Sequence, residues 1–270
     1  SWKQYETVVR LHIKPALGKL KLDRVTALHV QTLYREKLDS GLSARRVIYI
    51  HVTLHKALKQ AVRWSLIPRN VVDAAEPPKA TKKEINPLDE EQVRRLMEAV
   101  RGNRLEALYV LAVNTGMRQG ELLGLQWKDV DLDSGTLRVN RTIFGGVVSP
   151  PKTAKSRRSI KLSRAALAAL KIHEKTSEWV FSTGSGKPIN CTNLIKQSWR
   201  PLLKEAGLPH KRFHDLRHTC ATLLLTKGVH PKVVQELLGH SSISITLDTY
   251  SHVLPNMQEK AVAAMDEIFE

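Results

Sequence analysis

TLRVNRTIFGGVVSPPKTAKSRRSIKL, residues 136–162, is where the composition turns from helix formers to β-branched residues and glycine. Side chains of that kind fit a pleated, half-buried surface. Gly145-Gly146 suits a hairpin turn and residues 151–156 suit a looser second turn, so the stretch predicts a three-stranded antiparallel sheet. On both sides of it apolar residues recur at helical spacing. The fold class that follows is mainly α with a small antiparallel sheet, α+β in type.

Upstream, Asp89 predicts an N-cap with Gln92 completing a capping box, a strongly apolar helix covers about 104–114, and a third helix begins near Arg118. Downstream, helices are expected at about 164–175, 193–206, 214–227, 231–238, 243–251 and 255–269. Residues ahead of 78 read as helices alone. One runs from Trp2 to about Ile13 and stops at Pro15 and Gly18. Thr26 caps a second, which reaches Leu38 and closes at Gly41. Ser43 opens the longest, with Val47, Ile50, Leu54, Leu58, Ala61 and Val62 on one face as far as Trp64. A short piece near 70–75 precedes PPKATKKEINP, residues 77–87, whose prolines, lysines and missing apolar period mark a linker. The expected division is a helical module at 1–77, a basic linker at 78–86 and a larger domain at 87–270.

A chain of 270 residues with 42% hydrophobic content suits one large or two ordinary folded domains and excludes wholesale disorder. Its net charge is +17; residues 1–85 carry +10 of that and residues 86–270 carry +7, so the smaller part is far more densely positive. A surplus of this size points to a polyanionic partner, because each neutralised phosphate releases condensed counterions. Charge alone leaves open an anionic lipid surface or a merely soluble basic protein. Two cysteines, Cys191 and Cys220, are too few for a disulfide scaffold and form no C-x-x-C pair, so no structural zinc is expected. The longest apolar run, Ala107–Val113, is too short to span a bilayer, and no signal peptide is visible. A cytoplasmic, reducing compartment is the resulting default expectation.

Four chemically able side chains, His214, Arg217, His240 and Tyr250, fall within 37 residues in the runs HDLRHT, ELLGHSS and DTYSHV. A guanidinium grips phosphate oxygens in a planar fork, an imidazole donates or moves a proton, and a phenol oxygen can bond covalently to phosphorus. His214 and Arg217 stand three apart at a helix start, so they share a face beside free N–H groups that favour a phosphate. Arg118 lies in TGMRQGEL where a loop becomes a helix, and Glu121 three residues on is placed to hold its guanidinium. Lys152 belongs to a run with Lys155, Arg157, Arg158 and Lys161, five positive charges in ten residues. Taken singly, each has a plain structural alternative: a helix cap, a salt bridge, a solvated loop, or a buried tyrosine. His214 and His218 also have the i, i+4 spacing of zinc helices, but Asp215 replaces the glutamate and no third ligand follows nearby. GSGKP at 184–188 lacks the Ser or Thr of a phosphate loop and reads as a polar turn. HPKVVQELLGHSSISITLDTY has the outline of a helix-turn-helix, which would suit a regulator that binds DNA without cutting it.

The order Arg118, Lys152, His214, Arg217, His240, Tyr250 closely resembles the active site of the tyrosine recombinase (phage-type integrase) family, over nearly the whole chain. The resemblance implies a helical, SAM-like core-binding domain followed by the tyrosine recombinase catalytic domain, together forming a C-shaped clamp on double-stranded DNA. It makes Tyr250 the nucleophile and Lys152 the proton donor, with Lys155 as the competing lysine because hairpin register is not fixed by sequence. It gives His240 a hydrogen bond to the scissile phosphate. The implied reaction is site-specific strand cleavage and rejoining through a 3′-phosphotyrosyl link, with no cofactor, metal or ATP, in the integration or excision of a mobile element. The implied assembly is a homotetramer on two DNA sites, joined through a C-terminal tail helix and served by accessory DNA-bending proteins. Met257, Ala261, Ala264, Met265, Ile268 and Phe269 would be that tail's apolar stripe. A type IB topoisomerase is the enzymatic alternative, disfavoured by the full GELLGLQW and HDLRHTCATLLLTKG runs. Members that use arm sites carry a further N-terminal domain, whereas this sequence starts at the core-binding module.

Overall fold

A computed structural model describes residues 2–81, 86–151, 157–251, 262 and 265–268. The chain divides into two units, residues 1–84 and 85–270, and each has its own apolar core.

In the first unit, α1 (Trp2–Val8) passes through a π-turn at Val9–Ile13 into α2 (Lys14–Leu17). The expected stop at Pro15 does not occur. Proline has no N–H to give the preceding turn and its ring crowds that turn. The wider π-turn immediately ahead of it makes room, and the chain stays helical to Leu17. Helix α3 (Ala27–Asp39) starts under Thr26, whose hydroxyl accepts from the His29 N–H at 3.3 Å. Helix α4 (Ala44–Arg63) starts in the same way under Ser43. Its buried face, Val47, Ile50, Leu54, Leu58 and Ala61, packs with Val30, Leu33 and Tyr34 of α3. The opposite face exposes Arg45, Lys56, Lys59 and Arg63, and the helix contains no acidic residue. A 3₁₀ turn at Val71–Ala74 ends the unit and is tied back by a 2.8 Å bond between Asp73 and His55.

The second unit opens with α5 (Glu90–Val100), where Asp89 and Gln92 satisfy each other's backbone N–H groups. Helix α6 (Glu106–Thr115) is apolar all round, and Ala107 through Val113 are buried without interruption. A helix of that kind belongs at the centre of a domain, and α8 and α11 pack against it. The other helices are α7 (Gln119–Leu123), α8 (Arg164–Ile172) and α9 (Cys191–Asn193), with α9 running through a π-turn into α10 (Arg200–Glu205). Then come α11 (Asp215–Thr226), α12 (Pro231–Leu238) and α13 (Ile243–Tyr250).

The strands are β1 (Val130–Asp131), β2 (Thr136–Val139), β3 (Thr142–Phe144), β4 (Val147–Ser149) and β5 (Arg158–Lys161). They form two antiparallel sheets, β1-β2-β5 and the β3-β4 hairpin over Gly145-Gly146. The single three-stranded sheet expected from 136–162 is therefore corrected: the hairpin is separate, and the third strand comes from β1, outside the stretch. Asp129 causes the break. Its buried carboxylate binds the Asn140 amide at 2.9 Å and the Arg141 guanidinium, bending the chain where β2 would have run on into β3. The tail helix expected at 255–269 lies largely outside the described residues; within it Val262, Met265 and Ile268 are exposed. No helix of the described residues is long and apolar enough to cross a membrane.

Candidate active site

Helix α6 ends at Gly116, whose φ of 58° is left-handed and whose N–H bonds the Ala112 carbonyl. A Cβ there would stand 2.5 Å from Leu238 Cδ2, so the position requires glycine on two counts. Two residues later Arg118 caps α7. Its Nη1 donates to Glu121 Oε1 at 2.7 Å and its backbone N–H to Oε2 at 3.0 Å. Glu121 is 3% exposed and also accepts from Arg158 Nη2 at 3.0 Å. Burial alone would push the Glu121 carboxyl up, but Arg158 and then Arg118 outweigh it and hold the group below the usual carboxylate range. Arg158 Nε in turn donates to the Leu237 carbonyl at 2.6 Å, and its guanidinium fills the space that a side chain at Gly239 would need. One buried carboxylate thereby fixes Arg118 to the end of α12.

Arg217, in the first turn of α11, is 3% exposed. Its Nη1 donates to the Gly116 carbonyl at 2.8 Å, while Nη2 is buried without a hydrogen-bond partner among the described residues. Burial, then repulsion by Arg118, pushes its pKa down to about 9, which still leaves a cation at neutral pH. A buried charged donor left unpaired costs more than the ~1–3 kcal/mol of a neutral one, so the position favours an anion. Burial is also the leading cause that pushes His214 and His240 down to about 4. His218, Arg217 and Arg118 add to it at His214; Arg217, Arg118 and Arg158 add to it at His240. His214 is itself exposed, which softens the effect of burial there, but His218, Arg217, Arg118 and Arg212 all push the same way. Both rings are neutral at pH 7. His240 follows the left-handed Gly239 that closes α12, and its Nδ1 lies 2.8 Å from the hydroxyl of the fully buried Thr246. The His240 tautomer that accepts from Thr246 at Nδ1 has its proton on Nε2 and presents a donor there.

Arg118, Glu121, His214, Arg217 and His240 line one cavity of about 470 Å³. Four of the six residues expected at the site thus meet at one place. Lys152 and its competitor Lys155 lie outside the described residues, although the neighbouring Pro151 lines the same cavity. Tyr250 is not among the lining residues. It is 1% exposed, its ring packed with Ala221, Leu225, Val234 and Leu238 in a cluster apart from the main core. Its hydroxyl is 2.8 Å from Nδ1 of His218. Burial pushes the phenol up to about 12, against the pull of Arg217. At neutral pH ionisation then costs about 7 kcal/mol where it lies, against roughly 4 kcal/mol for a free phenol.

Three participants escaped the sequence reading as site residues: Arg158, Thr246 and His218. For Arg158 a signal existed, since it stands two residues before buried Ile160 on β5 and so shares its inward face. Thr246 stands four residues before Tyr250, on the same helical face.

Residues 86–257 match the model of the phage integrase family, and residues 1–38 match the phage integrase N-terminal SAM-like domain. The chain belongs to the phage integrase family. A XerC-like tyrosine recombinase of Caldanaerobacter subterraneus subsp. tengcongensis is 32% identical, over 98% of this chain and 77% of its own length. The ICEBs1 integrase of Bacillus subtilis is 26% identical, over 99% of this chain and 77% of its own. Among solved structures, the Tn1549 transposon integrase in complex with transposon right end DNA superposes with a TM-score of 0.83 at 23% identity, covering 100% of this chain and 94% of that one. A lambda integrase tetramer bound to a Holliday junction gives 0.71 at 22%, covering 92% of this chain and 70% of that one. Those two share the fold. This phage integrase family member is thus a tyrosine recombinase, an enzyme of site-specific DNA strand exchange, and the reading of a regulator that never cuts falls away.

Proposed function

We propose that this recombinase moves a mobile element into or out of a chromosome, with Arg118, Arg217, His214 and His240 gripping the scissile phosphate in the cavity they line. The observation that carries the reading is the buried Arg217 Nη2 donor without a partner among the described residues, beside a second guanidinium and two neutral imidazoles. Two arginines can engage both non-bridging oxygens and match the charge that builds on a pentavalent phosphorus. Relatives from a conjugative element, a transposon and phages support the mobile-element role.

In the proposed chemistry the Tyr250 oxygen attacks phosphorus and its proton passes to the neutral His214. The bond to the 5′ oxygen breaks, leaving a 3′-phosphotyrosyl link, and the departing oxygen takes a proton from Lys152. A 5′-hydroxyl of the partner duplex then reverses the step. One phosphoester replaces another, so the chain's own residues can carry the reaction without metal or ATP. For the division of labour we assign DNA binding to residues 1–77, the basic linker to 78–86 and catalysis to 87–270. Exposed Val262, Met265 and Ile268 support a tail that docks on another copy, and the tetrameric lambda integrase supports four copies on two sites. Work on the nucleoid in the cytoplasm, with accessory bending proteins, belongs to the same proposal.

A nicked site that traps the intermediate tests the assignment. The wild type should form a covalent protein–DNA adduct, and Tyr250→Phe should abolish it while still shifting the duplex in a gel. An adduct that survives the substitution removes Tyr250 from the role.

A further inference from the structure

The structure assigns to His218 the task of storing the nucleophile: it holds the Tyr250 hydroxyl off the phosphate cavity, and the phenol must leave this partner to attack. The inference rests on the reading of Tyr250 as nucleophile and adds a residue to it. Tyr250 Oη and His218 Nδ1 are 2.8 Å apart, and neither side chain lines the cavity that collects Arg118, His214, Arg217 and His240. The ring of His218 stands edge-on to that of His214, 5.3 Å away between centroids, so His218 links the stored hydroxyl to a residue of the cavity wall.

The two partners differ in how firmly they are held. His218 belongs to the first turns of α11, where Leu216, Thr219 and Cys220 are buried and Arg217 is bonded to Gly116. Tyr250 is the last residue of α13, and its ring joins only four other buried residues in a cluster separate from the main core. Releasing the tyrosine therefore strips a small satellite cluster and leaves the principal core untouched. Thr246, one turn earlier on α13, stays bonded to His240, so movement confined to the last turn frees the phenol without disturbing the phosphate donor. The hydrogen bond to His218 is what satisfies the buried hydroxyl while it is stored. Without that bond an unpaired polar group remains in an apolar cluster, and the stored position loses its advantage.

The test uses the full-length protein, a nicked trapping duplex under single-turnover conditions, and two kinds of substitution. His218→Phe keeps a ring and removes the partner; His218→Leu serves the same end should the phenyl ring not fit. His218→Asn keeps a polar atom near the position of Nδ1. Storage predicts that His218→Phe forms the adduct about tenfold faster and that His218→Asn returns the rate toward that of the wild type. In protein labelled with 3-fluorotyrosine, the fluorine resonance that Tyr250→Phe removes should move to a solvent-exposed position in His218→Phe and stay in place in His218→Asn. An unchanged rate with an unmoved resonance in His218→Phe overturns the proposal. Slower cleavage in both variants, with duplex binding intact, also overturns it and makes His218 the proton acceptor instead. Persistence of the adduct in Tyr250→Phe is a separate outcome: it removes the nucleophile reading itself, and the storage role with it.

Discussion

Arg217 concentrates the chemistry of the site in one side chain. Its guanidinium is spent half on the Gly116 carbonyl and half on nothing within the described protein, so one planar group both anchors to the scaffold and presents a donor to the cavity. A lysine has one compact charge on a flexible stem and cannot serve both directions with fixed geometry. Arg217→Lys should therefore lower the single-turnover cleavage constant about 10²–10³-fold, the range seen when one preorganised donor is lost. Duplex affinity, set by many other cations, should change far less; equal losses in both would show that Arg217 acts in binding and not in the transition state. The pairing of His214 with Arg217 was legible in the sequence because a helix places residues three apart on one face. The partner of the Tyr250 hydroxyl was not. His218 lies 32 positions away, and only the packing of α13 on α11 brings the two together.

Elements differ in the same way according to how local their causes are. The starts of α3, α4 and α5 were readable because Thr26, Ser43 and Asp89 act on N–H groups three residues ahead. The division of the sheet was not readable, because a carboxylate at Asp129 reaches Asn140 and Arg141 across 11 and 12 positions. The turn between α6 and α7 shows what such an element does for the site. It puts the Gly116 carbonyl on Arg217 and, two residues later, starts the helix that carries Arg118 and Glu121. Gly116→Ala adds a left-handed penalty of about 1–2 kcal/mol to an overpacking cost of about 1–3 kcal/mol against Leu238 and Cys220. The expected result is a thermal midpoint several degrees lower and loss of cleavage together. Gly145→Ala, with nothing within 4 Å of the new methyl group, carries the left-handed penalty alone and should leave cleavage intact. If Gly116→Ala melted like the wild type, the turn would not be the rigid link between the two arginines.

At the scale of the whole molecule the charge distribution makes its own demand. Residues 1–85 carry +10 of the net +17, and α4 presents Arg45, Lys56, Lys59 and Arg63 on its exposed side with no acidic residue in the helix. Such a face can be a solvated surface or a track for phosphates, and the dependence on salt separates the two. Phosphate contacts release counterions, so six to ten of them would weaken binding roughly 10³–10⁵-fold between 50 and 200 mM salt. We expect a fall of that order for the full chain on a duplex carrying its site. Lys59→Ala and Arg63→Ala should each reduce the slope of log affinity against log salt by about 1, on specific and random sequence alike. The cleavage constant at saturating protein should be unchanged, because these residues lie in the unit that does not contain the cavity. A slope that stays at its wild-type value in the double variant would mean that α4 faces solvent in the complex, and the phosphate contacts would then have to come from the other unit.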